Sequence, residues 1–439
     1  MSRNWNAVIG DVVAGRWRDP ETGKPAIVPF DTIIIDEDLT GREADLVQPL
    51  KLGDVITVVA DHNTWEAMGR RVKQQLAKIA TVRELILPPD IHCDAPTIAN
   101  ITAQTSGSHG LVAVGSGVLS DSVKFASFQD GRPYCTFGTA ASMNGYAAST
   151  ASVTLSSGLK TSLPAHAPRG IFLDLKVSAA APSWLSAAGL GDSLCRPTAQ
   201  VDWWLSHRLF GTHYSGTPYA LQQGEEAPML AAAAGLATGS IEANGILQRV
   251  LTLCGLGVCF TNVSNHGSMG EHSISHWIDM FAGAAHPGTT HGTQVGVASL
   301  SMARLQHRLL SLKNPPQIRA TIIDEAGMMR RYGPEIGPTC IADSKKKALD
   351  AAGATAFNRR IADLWPVLRE ELQAFTLPVD VMERALKAAG GPTTATEMGL
   401  DVTIYRNALR YAREIRNRYS FLDLADDAGL LEDFVGTEN

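Results

Sequence analysis

Cysteine is scarce in this chain, with six in 439 residues and no Cys-x-x-Cys pair. Scattered at Cys93, Cys135, Cys195, Cys254, Cys259 and Cys340, the thiols offer neither zinc-knuckle spacing nor a disulfide framework. Cys254 and Cys259 flank Gly-Leu-Gly-Val in an apolar stretch and are expected to be buried thiols, in a reducing cytoplasmic compartment. An excess of basic residues is also missing. Thirty-eight Lys and Arg stand against 44 Asp and Glu, a net charge of -6, so the cationic footprint needed for nucleic-acid phosphates is absent. No apolar run approaches the roughly 18–20 residues that span a bilayer, and the first residues carry no secretory apolar core. Repeats and low-complexity segments are lacking too. What is present is an ordinary globular composition, 45% hydrophobic and 19% charged, in a chain long enough for two domains with substantial cores.

The pattern changes character near residue 180. Before it, apolar runs read as strands: Thr32-Ile-Ile-Ile-Asp, Val55-Ile-Thr-Val-Val-Ala, Glu84-Leu-Ile-Leu, Leu111-Val-Ala-Val and Gly170-Ile-Phe-Leu-Asp-Leu. Helical patterns separate them, including one from Trp65 to about Ala80, which implies a parallel α/β sheet. Residues 125–165 are rich in small and hydroxylated residues and read either as a strand pair or as a long loop. After residue 180 helical periodicity dominates. Ile361, Leu364, Leu368, Leu372 and Phe375 recur at three- and four-residue spacing, as do Ile404, Ala408, Tyr411 and Ile415. The acidic end, Asp426 to Asn439, reads as a solvated tail. Domains over 1–180 and 181–439 are therefore expected.

Two groups of residues carry chemistry. In Gly-Glu-His272-Ser-Ile-Ser-His276 the histidines stand four apart, on one helix face. His291 opens a further helix, and Asp192 lies in Ala-Gly-Leu-Gly-Asp-Ser-Leu. Imidazoles and a carboxylate in this number suit one zinc, nickel or iron(II) ion with an open coordination position, able to polarise a substrate oxygen. Glu271 precedes His272, so the His-Glu-x-x-His order of metalloproteases is absent. In the first half, Leu111-Val-Ala-Val runs into Gly115, Ser116, Gly117, Val118, Leu119, Ser120 and Asp121, then into an apparent helix from Ser122. A strand, a small-residue turn and a helix start suit a diphosphate. Ser120 stands where a third glycine would complete Gly-x-Gly-x-x-Gly, and no Gly-Lys-Ser/Thr ending marks a kinase-type loop. Asp61, just past a strand, reads equally as a ribose ligand or as a helix cap.

Taken together, these segments resemble a known family. Thr139-Ala-Ala-Ser142-Met-Asn144-Gly-Tyr-Ala is similar to the Thr-Ala-Pro-Ser-Met-Asp-Gly-Tyr-Ala-Ser signature of sn-glycerol-1-phosphate dehydrogenases. The Asp192, His272 and His291 segments resemble three later signatures, and Arg416-Asn-Arg-Tyr-Ser-Phe-Leu-Asp-Leu resembles a C-terminal one. The family lies within the dehydroquinate-synthase-like superfamily, beside glycerol dehydrogenases and iron-containing alcohol dehydrogenases. The resemblance implies a Rossmann-like N-terminal parallel-sheet domain, an all-α C-terminal domain and an active site in the cleft. It implies that Asp192, His272 and His291 hold the metal, that Gly117 to Asp121 cradle the diphosphate of NAD or NADP, and that Thr139 and Ser142 contact the cofactor. Asn144 and His276 would face the substrate, with His276 relaying the proton. A homodimer or larger ring is implied as well.

Three departures bear on the substrate. Asn144 replaces the family's Asp, Ala148 replaces Ser, and Asn265-His-Gly-Ser-Met lacks the Arg-Pro commonly found before Gly270. Interconversion of dihydroxyacetone phosphate and sn-glycerol 1-phosphate is the expected reaction. The alternatives are an unphosphorylated polyol as substrate, a sugar-phosphate cyclase of the dehydroquinate synthase type, and a non-catalytic scaffold.

Overall fold

A computed structural model describes residues 4–439. It divides into two compact units: Met1–Leu190 with Gly216–Asn262 and Ala388–Gly390, and Gly191–Ser215 with Val263–Lys387 and Gly391–Asn439.

The first unit is built on a six-stranded parallel sheet. Its strands are β1 (Thr32–Asp36), β2 (Val55–Asp61), β3 (Thr81–Leu87), β4 (Gly110–Gly115), β5 (Tyr134–Gly138) and β8 (Gly170–Asp174), in the order β1-β8-β5-β4-β2-β3. Strands β4, β5 and β8 are buried along their whole length, as apolar runs covered on both faces must be. Alternation then sorts their side chains. Val58, Ala60, Val112 and Val114 join the core on one face, with Trp65 and Met68. Val59, Leu111 and Ala113 join the core on the other, with Leu119 and Val123. The edge strand β3 exposes Arg83 and Glu84, charges that discourage further strand pairing. The remaining strands, β6 (Thr150–Thr154) and β7 (Lys160–Pro164), form an antiparallel pair, so residues 125–165 contain a hairpin.

Two helix boundaries differ from the sequence reading. The helix expected from Trp65 begins at His62, widens into a π turn over Trp65–Gly69 and ends at Leu76. Its start is set by Asp61, whose Oδ1 accepts from Thr64 N in a capping box. The helix after β4 begins at Gly117, five residues before the expected Ser122. Ser116 takes an extended conformation as its N-cap and the chain turns directly into the helix.

The first unit also contains the 21-residue helix Ile241–Thr261, apolar and long enough to cross a membrane by composition. The sequence reading found no such run. Of its most apolar window, 89% is buried, and its interior Arg249 pairs with Glu225 at 2.8 Å. These are the features of a core helix.

The second unit is helical throughout, with Gly270–Phe281 and His291–Leu310 among its packed helices. The chain's acidic end belongs to it and is no solvated tail. Ser420 and Asp423 form a capping box that starts the helix Phe421–Asp427. In Leu431–Thr437, Leu431, Phe434 and Val435 are buried while Glu432 and Asp433 remain outside. Glu438 is only 3% exposed and ion-pairs with Arg304 at 2.7 Å. Counting charge hid this amphipathic spacing.

Candidate metal centre and dinucleotide turn

In the second unit, Asp192, His272 and His291 offer ligand atoms that all lie within 4.8 Å of one another. Backbone packing makes this approach possible. A Cβ on Gly191 would overlap the Gly292 carbonyl oxygen and lie 3.1 Å from Gly296 Cα. Glycine at each position lets the segment carrying Asp192 lie against the helix headed by His291.

Hydrogen bonds set the direction of both imidazoles. Glu271, fully buried, accepts from Met269 N at 2.7 Å and faces His272 Nδ1 at 3.0 Å, both through Oε1. That assigns the His272 proton to Nδ1 and turns Nε2 toward Asp192 Oδ1, 3.5 Å away. The Ser275 hydroxyl donates to Gln294 Oε1 at 2.8 Å, so it accepts from His291 Nδ1 at 3.0 Å, which assigns that ring's proton to Nδ1 and makes Nε2 its unprotonated nitrogen. Burial opposes the His272 imidazolium, but the hydrogen bonds and charges of Asp192 and Glu271 outweigh it and raise its pKa above the ordinary value. A site that attracts a proton this way also suits a cation. The donor set fits one divalent metal, and the protein oxygens behind the imidazoles are the support such ligands require.

A second cluster, Cys195, Glu271 and His272, meets the same distance limit. The Cys195 thiol donates to the Gly267 carbonyl at 3.2 Å, and His272 Nδ1 is engaged by Glu271. These groups support the first set. Beneath them Asp202 accepts from Phe421 N, Gln306 Nε2 and Gly270 N. Burial and the nearby Glu271 charge push its carboxyl up to about 8.

His276 stands beside the triad, its ring centroid 6.4 Å from that of His272 and 5.5 Å from that of His291. Its Nδ1 receives a 2.9 Å hydrogen bond from Arg416, a contact spanning 140 residues that no spacing rule could have found. The sequence reading used Glu271 only to exclude a protease motif and assigned no role to Arg416.

In the first unit, the candidate dinucleotide residues gather at the C-terminal edge of the sheet. The strand order reverses between β2 and β4, the topological position where open parallel sheets bind ligands. Asp61 ends β2, and Gly115 ends β4 opposite Gly138 of β5. Thr139 follows, its N–H bonded to the Gly115 carbonyl at 3.2 Å. The Gly117–Gln129 helix starts here with Ser116, Gly117 and Val118 accessible to solvent, so its first N–H groups and positive dipole end are open to an anion.

Other residues of the turn face inward. Leu119 and Ser120 are buried. Asp121 bonds Ser152 N at 3.0 Å and Lys124 Nζ at 3.0 Å. Fully buried Lys124 also donates to the carbonyls of Gly145 and Thr150, which fastens the helix to the segment carrying Ser142 and Asn144. Tyr146 donates to the carbonyls of Gly115 and Ala140. The Asn144 amide reaches Cys254 Sγ at 3.6 Å. A Cβ on Gly255 would overlap the Asn144 carbonyl, so glycine there admits the turn against the Ile241–Thr261 helix.

With this geometry in place, comparison with known proteins is informative. The iron-containing alcohol dehydrogenase family profile matches residues 34–182. A glycerol-1-phosphate dehydrogenase [NAD(P)+] of Bacillus velezensis is 28% identical over 85% of this chain and 86% of that protein. One from Methanoculleus marisnigri is 30% identical over 61% of this chain and 73% of that protein. The chain belongs to the glycerol-1-phosphate dehydrogenase family. The fold is shared with a probable glycerol dehydrogenase from Sinorhizobium meliloti, which superposes with a TM-score of 0.61 at 17% identity, covering 93% of this chain and 98% of that one.

Proposed function

We propose that this protein is a metal-assisted NAD(P) oxidoreductase that interconverts dihydroxyacetone phosphate and sn-glycerol 1-phosphate. Carrying this reading is the convergence of Asp192, His272 and His291 in a chain of this family. The first unit, which takes in residues 216–262 beyond the expected boundary at 180, would bind the dinucleotide, and the second unit would hold the metal. The first turn of the Gly117–Gln129 helix takes the diphosphate, Asp61 a ribose hydroxyl, and Thr139 and Ser142 the nicotinamide side. The oxygen and two imidazole nitrogens suit zinc, nickel or iron(II). When bound, the ion supplies a Lewis acid that polarises the carbonyl oxygen, and the nicotinamide supplies hydride.

The chain's own side chains do the remaining work. Glu271 and Ser275 hold the two imidazoles in their ligating tautomers. His276 exchanges a proton with the substrate oxygen, and Arg416 holds its ring in place. Asn144 offers the substrate both an amide donor and an acceptor, where a carboxylate would offer acceptors alone. A homodimer or larger assembly is the expected quaternary state, on the family resemblance.

The test is reduction of dihydroxyacetone phosphate by NADH and NADPH, using protein loaded separately with zinc, nickel or iron(II). The expected product is sn-glycerol 1-phosphate, identified because an sn-glycerol-3-phosphate dehydrogenase does not oxidise it. Turnover of free glycerol without turnover of the phosphate ester would favour a polyol dehydrogenase instead. Loss of bound metal in Asp192→Ala and His272→Ala, with neither they nor the parent active, would favour a scaffold.

A further inference from the structure

Around the metal centre, the second unit carries two guanidinium groups that form no ion pair with any described residue: Arg416 and Arg418. Both pKa values are pushed down by burial, to about 10 and about 9, so each cation is held where water solvates it poorly. They are used differently. Arg418 donates to the Ser268 carbonyl and, at 3.1 Å, to Ser264 Oγ, which fastens the segment before Gly270. Arg416 makes one kind of contact only, through Nη2 to the His276 ring, 2.9 Å from Nδ1 and 3.4 Å from Nε2. Its Nε and remaining terminal nitrogen have no hydrogen-bond partner among the described residues. The side chain is partly buried, hence reachable.

Charge accounting points the same way. Asp192 and Glu271 flank His272 at 3.5 and 3.0 Å, and Arg416 and Arg418 offset them. A divalent ion on the triad would leave two positive charges in excess, which a phosphate monoester dianion neutralises. Such a guanidinium offers a planar fork of donors matched to phosphate oxygens. Arg418 reaches the segment before Gly270 from the C-terminal part of the chain, and Arg416, two residues earlier, meets His276.

Resting on the proposed triose-phosphate activity, we infer that Arg416 forms the subsite for the substrate's phosphate and so makes the phosphorylated triose the preferred substrate. Its contact with His276 links that subsite to the proton-carrying imidazole, so phosphate seated on the fork orients both.

The experiment compares the metal-loaded parent enzyme with Arg416→Gln and Arg416→Lys. One readout is the ratio of kcat/KM for dihydroxyacetone phosphate over dihydroxyacetone, which cancels any effect through His276 common to both. That ratio is expected to fall about tenfold to 150-fold in R416Q, as for one charged hydrogen-bonded contact. It should fall less in R416K, which keeps the charge and loses the fork. The second readout needs no turnover: calorimetric titration with inorganic phosphate, with bound metal measured to show that the variants are folded. Phosphate should bind the parent and bind R416Q at least tenfold more weakly. An unchanged ratio, or phosphate bound equally by both proteins and thus held by the metal or elsewhere, overturns the inference. A parent inactive on both trioses sinks the proposed activity alone, while the phosphate titration still decides for or against Arg416.

Discussion

In the proposed metal centre His272 and His291 are each aimed by a hydrogen bond at Nδ1, so the residues behind the imidazoles would govern metal affinity. Glu271 takes both the Met269 and His272 bonds on Oε1. Glu271→Gln keeps an acceptor and removes the charge, and is expected to weaken metal binding about tenfold. Glu271→Leu removes both and should weaken it about 100-fold. Competition with a metallochromic chelator measures each, and an unchanged affinity would contradict the tautomer assigned to His272. Asp202 makes a pH prediction. Its folded pKa of about 8 lies above the unfolded carboxylate value, so the folded state holds a proton that the unfolded state has lost. The resulting stability is fully present below about pH 4 and is lost as pH rises through about 8. Between these limits Asp202 should contribute a decline near 1.4 kcal/mol per pH unit, and Asp202→Asn should flatten it. Urea unfolding of the metal-free protein from pH 5 to 9 tests this, and parallel slopes in parent and variant would refute it.

Among the elements, glycine decides which helices approach closely enough to build a site. A methyl group on Gly191 would strike the Gly292 carbonyl, so Gly191→Ala must push apart the segments bearing Asp192 and His291. The expected cost is about 1–3 kcal/mol for overpacking, with weakened metal binding beside it. Gly10→Ala is the control: nothing lies within 4 Å of its would-be Cβ, and the helix Ala7–Val13 should be unharmed or stabilised by about 0.4–1 kcal/mol. Equal stability changes at the two positions would disprove the close-approach argument. The C-terminal helix makes a further claim. Glu438→Ala leaves Ser301 and Arg304 without their shared acceptor and should lower the unfolding free energy by about 1–3 kcal/mol. A fall in the urea midpoint at constant slope would show it; no shift would mean that the terminal segment is not docked.

For the whole molecule, the candidate metal ligands and the candidate dinucleotide residues belong to separate compact units, and the proposed roles should be visible separately in solution. Metal at about 100 times its dissociation constant adds roughly 2.7 kcal/mol to whatever unfolds with it. Hydrogen exchange should then slow in the second unit around residues 270–276 and 291–296. NAD(P) should slow exchange around residues 115–120 in the first unit. Metal protection confined to residues 115–120 would break this assignment.

The sequence by itself determined five of the six strands of the parallel sheet and the candidate ligands, but left β5, inside the undecided segment 125–165, unread. Buried parallel strands need continuous apolar runs, and metal or phosphate chemistry restricts which residue types can serve, so both leave local traces. It read Asp61 as a ribose ligand or a helix cap; the structure shows the cap, made by Oδ1 alone with Thr64 N three residues away, and a cap on one oxygen is compatible with the proposed ribose bond on the other. It misread the acidic end, because net charge is blind to the spacing of Leu431, Phe434 and Val435. Only the tertiary structure decided that Asp192 and His291 come close enough to share an ion, that Glu271 stands behind His272, and that Arg416 meets His276. These contacts join segments distant along the chain, or depend on which way a side chain turns. Their energies come from packing and desolvation, which no local pattern of residues encodes.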